Sequence, residues 1–296
     1  MTIKSRADAS AVSAAFPLFF VLLWSTGFIG AKLGLPDAPP LTFLTTRYAA
    51  VIVFMAVVVV VSRAPWPDKP AAWLHIAVTG LLIHAVYLGG VFTSIDRGLP
   101  TSIAAMVVGL QPLVTALGAM AFLRERVGRW QWCGLVLGFI GVGMVVMQKN
   151  GDTTGTGMFY MAIPSMVALL GISAGTLYQK RFCPSFDLRT GSLIQFVPCL
   201  AVTWAAAAAT ETMHITWSAN FLFALAWLVL VLSVGAISLL NMLIRRGSAV
   251  AVASLFYLTP PATALIAWLV FGETLSLVAS AGMALTALGV WLARRG

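Results

Sequence analysis

Apolar runs of about 20 residues recur along the chain, separated by short polar joins, and that is the length an α-helix needs to cross a hydrocarbon core. The pattern predicts crossings near 16–35, 41–61, 72–94, 100–122, 130–147, 157–180, 189–209, 220–243, 248–271 and 276–293. The joins carry turn chemistry, as in Pro36 to Pro40, Pro65 to Pro67 and Asn150 to Gly155. The expected fold is an all-α membrane protein of ten transmembrane helices. None of these joins is long enough for a separate soluble domain, which excludes a nucleotide-binding domain within the chain.

Composition strengthens this reading. Hydrophobic residues make up 60% of the chain and charged residues only 9%, against about 25% charged in a soluble domain; the mean hydropathy is +0.96. A net charge of +9 would suggest nucleic acid for a soluble protein. Here the basic residues sit in short loops between apolar runs, so the expected partner is the lipid bilayer and not nucleic acid. Cys133, Cys183 and Cys199 are odd in number and lack metal-ligand spacing. They read as free thiols, with no metal and no cofactor expected. The polar stretch Met1 to Ala15 precedes the first apolar run, and no small-residue cleavage site follows that run, so the first helix is expected to be retained.

Alternate loops differ sharply in charge. Lys4, Arg6, Arg63, Lys69, Arg124, Arg126, Arg129, Lys180, Arg181, Arg189, Arg245, Arg246, Arg294 and Arg295 fall on one side, fourteen in all; Lys32, Arg97 and Lys149 fall on the other. The positive-inside rule then predicts both termini in the cytoplasm.

A shift of 148 residues superimposes the two halves of the sequence almost without gaps. Ser25, Gly27 and Lys32 fall on Ser173, Gly175 and Lys180, Pro112 on Pro260, Glu125 on Glu273, and Gly134 and Gly141 on Gly282 and Gly289. The expected halves are residues 16–147 and 157–293. Each holds five crossings, so the second half must run through the membrane in the opposite sense. Inverted repeats are a hallmark of secondary transporters, whose halves exchange conformations around a midplane site.

The repeated signature reads Gln111-Pro112, then Glu125 and Gly134 in the first half, and Thr259-Pro260, then Glu273 and Gly282 in the second. With Leu23 to Phe28 in the first helix, it resembles the drug/metabolite transporter superfamily, and its tandem form resembles the EamA family over essentially the whole chain. The aromatic-rich core is similar to that of YddG-type exporters of aromatic amino acids. The resemblance implies a bacterial inner-membrane exporter with a central cavity lined by helices 1, 3, 4, 6, 8 and 9.

Polar groups deep in such helices should point into the bundle or a wet cavity. His84, Tyr87 and Ser94 align on the third helix, Gln111 and Thr115 on the fourth, and Ser165, Thr176 and Gln179 on the sixth. Ser238 and Asn241 align on the eighth, and Phe256, Thr259 and Thr263 on the ninth, while Trp24 and Phe28 give the first an aromatic face. The candidate substrate contacts are Trp24, Phe28, His84, Tyr87, Gln111, Thr176, Gln179, Asn241, Phe256 and Thr259. Together they suit a zwitterion with an apolar side chain. The competing reading is that each hydroxyl bonds its own helix. Pro112 and Pro260 each remove a helical hydrogen bond, freeing carbonyls near Val108 and Phe256. They are candidate paired hinges, or else static bends.

Gly134 and Gly138, followed by Gly141, should let the fifth helix approach the tenth closely. Because the fused repeat already supplies two halves, the protein is expected to function as a monomer. Trp66, Trp73, Trp130 and Trp217 read as interface anchors.

All nine acidic residues fall in the tail, loops or helix ends, so proton antiport through a buried carboxylate is not expected. Glu125 and Glu273 read as first-turn caps of the fifth and tenth helices. Arg47 lies inside the second helix; its stem can snorkel to the head groups, or it marks an anion site or gate. Three function classes remain open. The leading one is an exporter of small amphipathic metabolites, amino acids including aromatic ones foremost. A sugar-phosphate or nucleotide-sugar carrier would want several cavity cations. The third is an intramembrane enzyme or a receptor. For an enzyme, His75 and His214 sit near a helix end and in a loop, leaving no paired haem ligands, and no serine–lysine dyad stands out; a receptor is open by motifs but would not require an inverted repeat.

Overall fold

A computed structural model describes residues 3–99, 104, 107–147, 156–271 and 277–294. Those residues are helical throughout apart from short joins, with no strand among them. Helix α1 spans Ile3–Gly34 and α2 spans Pro40–Ser62. Helix α3 is one rod, Pro70–Asp96, with a π-helical stretch at Leu81–Val86. Helix α4 is described over Gln111–Leu123, and α5 runs over Arg129–Met147. Helices α6, Thr156–Phe182, and α7, Leu188–Thr210, follow. Helix α8, Ala219–Arg246, is π-helical at Leu228–Ala236. Helix α9 starts at Ala249–Ser254, tightens to a 3-10 turn at Leu255–Leu258 and resumes as Thr259–Phe271; α10 is Leu277–Ala293.

The local chemistry explains these boundaries. Pro40 and Pro70 open α2 and α3, where a missing N–H is harmless. Ser218 Oγ accepts from Phe221 N at 3.0 Å and Ser248 Oγ from Ala251 N at 3.1 Å, capping α8 and α9. Asp187 caps α7 by accepting from Arg189 N at 2.9 Å, and the adjacent Arg189 guanidinium holds its carboxyl below the usual carboxylate range. The Glu211 carboxylate accepts from Leu41 N and Thr42 N at 2.8 and 2.7 Å, so one half caps a helix of the other.

Glu125 corrects one expectation. It does not cap α5, which begins only at Arg129; its Oε1 accepts from Ala249 N at 3.4 Å, at the start of α9. Its carboxylate reaches across to the other half, where α9 presents unpaired N–H groups. Glu273 lies outside the described residues.

The halves interlock as antiparallel partners. Along α5 and α10, a Cβ on Gly134 would stand 2.5 Å from Gly289 O and Ala293 N, and one on Gly289 would stand 2.6 Å from Gly134 O. The expected glycine contact is therefore present, backbone against backbone. Along α2 and α7, Thr42 meets Glu211 at one end and Thr190 Oγ1 donates to Pro65 O at 2.8 Å at the other. Each of these pairs joins a helix to its own repeat equivalent. The two π-helical stretches also coincide under the 148-residue shift.

Loop contacts define the two ends of the bundle. On the end holding the C-terminus, Gln131 Nε2 donates to Ala293 O at 3.3 Å and Lys180 Nζ to Gly247 O at 2.6 Å, and Glu125 meets Ala249. On the far end, Ser218 Oγ donates to Asp37 Oδ2 at 2.6 Å. Between the ends, Val53, Val57, Phe122, Leu170 and Phe223 point outward as an apolar belt fit for lipid.

Candidate functional site

The prolines of α4 and α9 follow equivalent breaks. Leu110 N donates to Val107 O at 3.1 Å in a turn just before Pro112, and the 3-10 turn Leu255–Leu258 precedes Pro260. Residues 107–110 and 255–258 are 148 apart. The carbonyl expected to be free at Phe256 is taken by Thr259 N–H, because the tighter turn supplies a donor in place of the one proline lacks.

The break in α9 places Phe256 beside α1. Its ring meets Trp24 edge-on at 5.2 Å and Phe20 at 5.3 Å, and Trp24 stacks on Tyr87 of α3 at 6.3 Å. Of these rings, Trp24 and Tyr87 floor a cavity, with Phe256 packed behind Trp24. Its walls are Gly27 and Ala31 of α1, Leu88, Val91, Phe92 and Ile95 of α3, and Leu228, Leu232 and Ile237 of α8. The lining advances from Trp24 to Ala31 and from Tyr87 to Ile95, so the cavity occupies the far half of the bundle while the aromatic floor closes the half nearer the C-terminus.

One charged side chain lines this cavity: Arg47 of α2. Snorkelling is overturned here. The residue is only 4% exposed, and its Nε donates to Ser233 Oγ at 3.0 Å, on the π-helical stretch of α8. Helix α2 packs between α7 and α8, which turns the guanidinium inward and away from any head group.

The other candidates divide in a way the repeat explains. Trp24 and Tyr87 line the cavity and Phe256 packs behind Trp24. His84 lies one turn below Tyr87, stacked on Phe196 at 4.4 Å, with Nε2 3.5 Å from Gln195 Oε1. Gln111 and Thr259 are repeat equivalents, both buried, and the side-chain polar atoms of both lack a partner among the described residues. The Gln179 amide and Asn241 Nδ2 are likewise buried and unpartnered. Thr176 Oγ1 donates to Ile172 O at 2.8 Å, so its own helix satisfies it. The Phe28 side chain lies outside the described residues.

Under the 148-residue shift, cavity residues Trp24, Ala31, Arg47 and Leu232 map onto Ile172, Gln179, Gln195 and His84. Both sets of four are buried. A Cβ on Gly27 would stand 3.3 Å from Leu232, whereas one on its equivalent Gly175 would stand 2.6 Å from Ile83. At this glycine pair the second half packs more tightly than the first. Sequence reasoning missed Gln195, Ser233 and the apolar wall; the offset from Arg47 to Gln195 was the one available signal.

Apolar helices in two halves of matching sequence, with a cavity lined by α1, α3 and α8, fit a membrane transporter of the inverted-repeat kind. The chain belongs to the EamA-like transporter family, which matches residues 11–147 and 157–295. It is 26% identical over 265 residues to the uncharacterized inner membrane transporter YedA of Escherichia coli K12, covering 89% of this chain and 83% of that one. It is 27% identical over 286 residues to a Salmonella typhimurium LT2 protein named "Probable amino-acid metabolite efflux pump", covering 93% and 92%. A crystal structure sharing 18% identity superposes with a TM-score of 0.78 over 96% of each chain, a likeness of fold.

Proposed function

We propose that this transporter exports small amphipathic metabolites, amino acids including aromatic ones foremost, across a bacterial inner membrane with both termini cytoplasmic. Residues 16–147 and 157–293 are the two units that exchange conformations, and a single chain suffices. The observation that carries this reading is the cavity itself: Trp24 and Tyr87 stack at its floor, apolar walls rise above them, and one guanidinium stands at the side. That chemistry suits a ring or aliphatic side chain joined to a small charged head. The amino-acid metabolite named for the Salmonella relative agrees with it. A sugar-phosphate or nucleotide-sugar carrier is less well supported, since Arg47 is the sole cation among the described lining residues.

Counterflow of labelled amino acids in proteoliposomes, with sugars and cationic dyes as competitors, tests the reading. Amino acids should exchange and sugars should not compete; the reverse would reject it. No carboxylate is placed in the membrane core by the sequence, so a pH gradient alone should not drive substrate uphill. Accumulation under that gradient would show a coupling group that this account lacks.

A further inference from the structure

We infer that Arg47 is a receptor for a carboxylate, and that the protein selects substrates bearing a single negative charge at that point. This rests on the cavity being the transport site. A guanidinium carries five N–H donors. One of them, on Nε, is committed to Ser233 Oγ at 3.0 Å. The four on the two terminal nitrogens have no protein partner among the described residues, although the side chain is 96% buried, the complement of its 4% exposure, and lines the cavity.

A cation taken from water without a counterion is costly, and that cost is recovered when an anion arrives. None of the described acidic groups supplies that counterion. Glu211 is spent on Leu41 and Thr42, Asp37 on Ser218, and Asp187 on Arg189. The planar fork of terminal N–H groups matches a carboxylate in bidentate fashion, and the bond to Ser233 fixes the plane in which that fork is offered. The surrounding wall, Phe92, Leu228 and Leu232, supplies no second charge. A phosphate dianion would be left half-neutralised there; a carboxylate is not. The repeat equivalent is Gln195, so the charge belongs to one half only, and the other half has a neutral amide in its place.

The test uses the full-length protein in liposomes, with L-phenylalanine as the labelled probe. Competitors are 3-phenylpropionate, 2-phenylethylamine, phenyl phosphate and 3-phenylpropan-1-ol. The acid should compete well and the amine poorly, with phenyl phosphate weaker than the acid. Competition by the amine matching or exceeding that of the acid overturns the inference, as does preference for phenyl phosphate. R47Q should weaken the acid about 30-fold or more, the lower range for losing one member of a buried charge pair, and leave the neutral alcohol near its wild-type value. R47K should recover part of the loss.

If R47Q does not fold, the competitor series on the native protein still decides. Calorimetric binding of 3-phenylpropionate in detergent separates the two readings. Carboxylate binding lost in R47Q without amino-acid counterflow keeps this inference and rejects the proposed function. Phenylalanine counterflow indifferent to the carboxylate does the opposite.

Discussion

Arg47 Nε donates to Ser233 Oγ at 3.0 Å, and the pair joins α2 of the first half to the π-helical stretch of α8 in the second. Gln195 of α7, the repeat equivalent of Arg47, instead lies 3.5 Å from His84, the residue before Ala85, which is the equivalent of Ser233, on the π-helical stretch of α3. The Arg47 contact borders the cavity, and beside the Gln195 contact Phe196 stacks on the His84 imidazole at 4.4 Å. Charge thus lies on one side of the repeat alone.

Removing the Ser233 hydroxyl should loosen the guanidinium without removing it. S233A is expected to raise KM for L-phenylalanine roughly 3- to 10-fold, somewhat below the full value of a hydrogen bond to a charged group because water can take the place of the hydroxyl. Maximal counterflow should change little. A flat KM would mean that Ser233 only fills space.

Ala31 lines the cavity and its repeat equivalent Gln179 does not, a difference that labelling can read. With Cys133, Cys183 and Cys199 replaced by serine, A31C should react with a membrane-impermeant maleimide supplied from the far side, while Q179C, its repeat equivalent, should be protected. Equal labelling of both would show that the resting protein does not hold the described arrangement.

Glycine contacts between α5 and α10 should dominate the stability of that pair. In G134A the new methyl would meet backbone atoms of Gly289 and Ala293, neither of which can swing aside. A loss of about 1–3 kcal/mol is expected, seen as a lower melting temperature in detergent. Gly143, on the same helix, has open space at the Cβ position. G143A should therefore be neutral or stabilising by up to about 1 kcal/mol, since alanine favours the helix.

The paired breaks in α4 and α9 make a kinetic prediction. Replacing Pro112, Pro260 and Pro261 together by alanine should let both helices straighten through residues 107–110 and 255–258. Turnover is expected to fall at least several-fold while the melting temperature stays near wild type. Unchanged turnover would leave the prolines as static bends.

Much of the fold was legible because a membrane imposes rules that act along the chain. Run length gave α2, α3, α6, α7 and α8 to within about four residues. The site was less legible. Trp24 was found as part of an aromatic face, and Tyr87 and Phe256 by their alignment with polar residues of their own helices; they meet where the 3-10 turn before Thr259 sets Phe256 against α1. Thr176 carried the same polar signal as Gln179 but bonds its own helix, a choice that depends on rotamer and not on spacing. The π-helical stretches had no sequence signal, because they arise where α3 and α8 adjust to tertiary neighbours.

By itself the sequence determined the number of crossings, the one-sided placement of the basic residues and the existence of two equivalent halves. Each follows from a quantity summed along one dimension: apolar length, loop charge or self-similarity. Tertiary structure decided that Arg47 turns inward, that Glu125 caps α9 across the repeat, and that the cavity is lined by α1, α3 and α8. The physical reason is that each of these depends on contacts between residues far apart in the chain, such as Arg47 with Ser233, which quantities summed along one dimension do not encode.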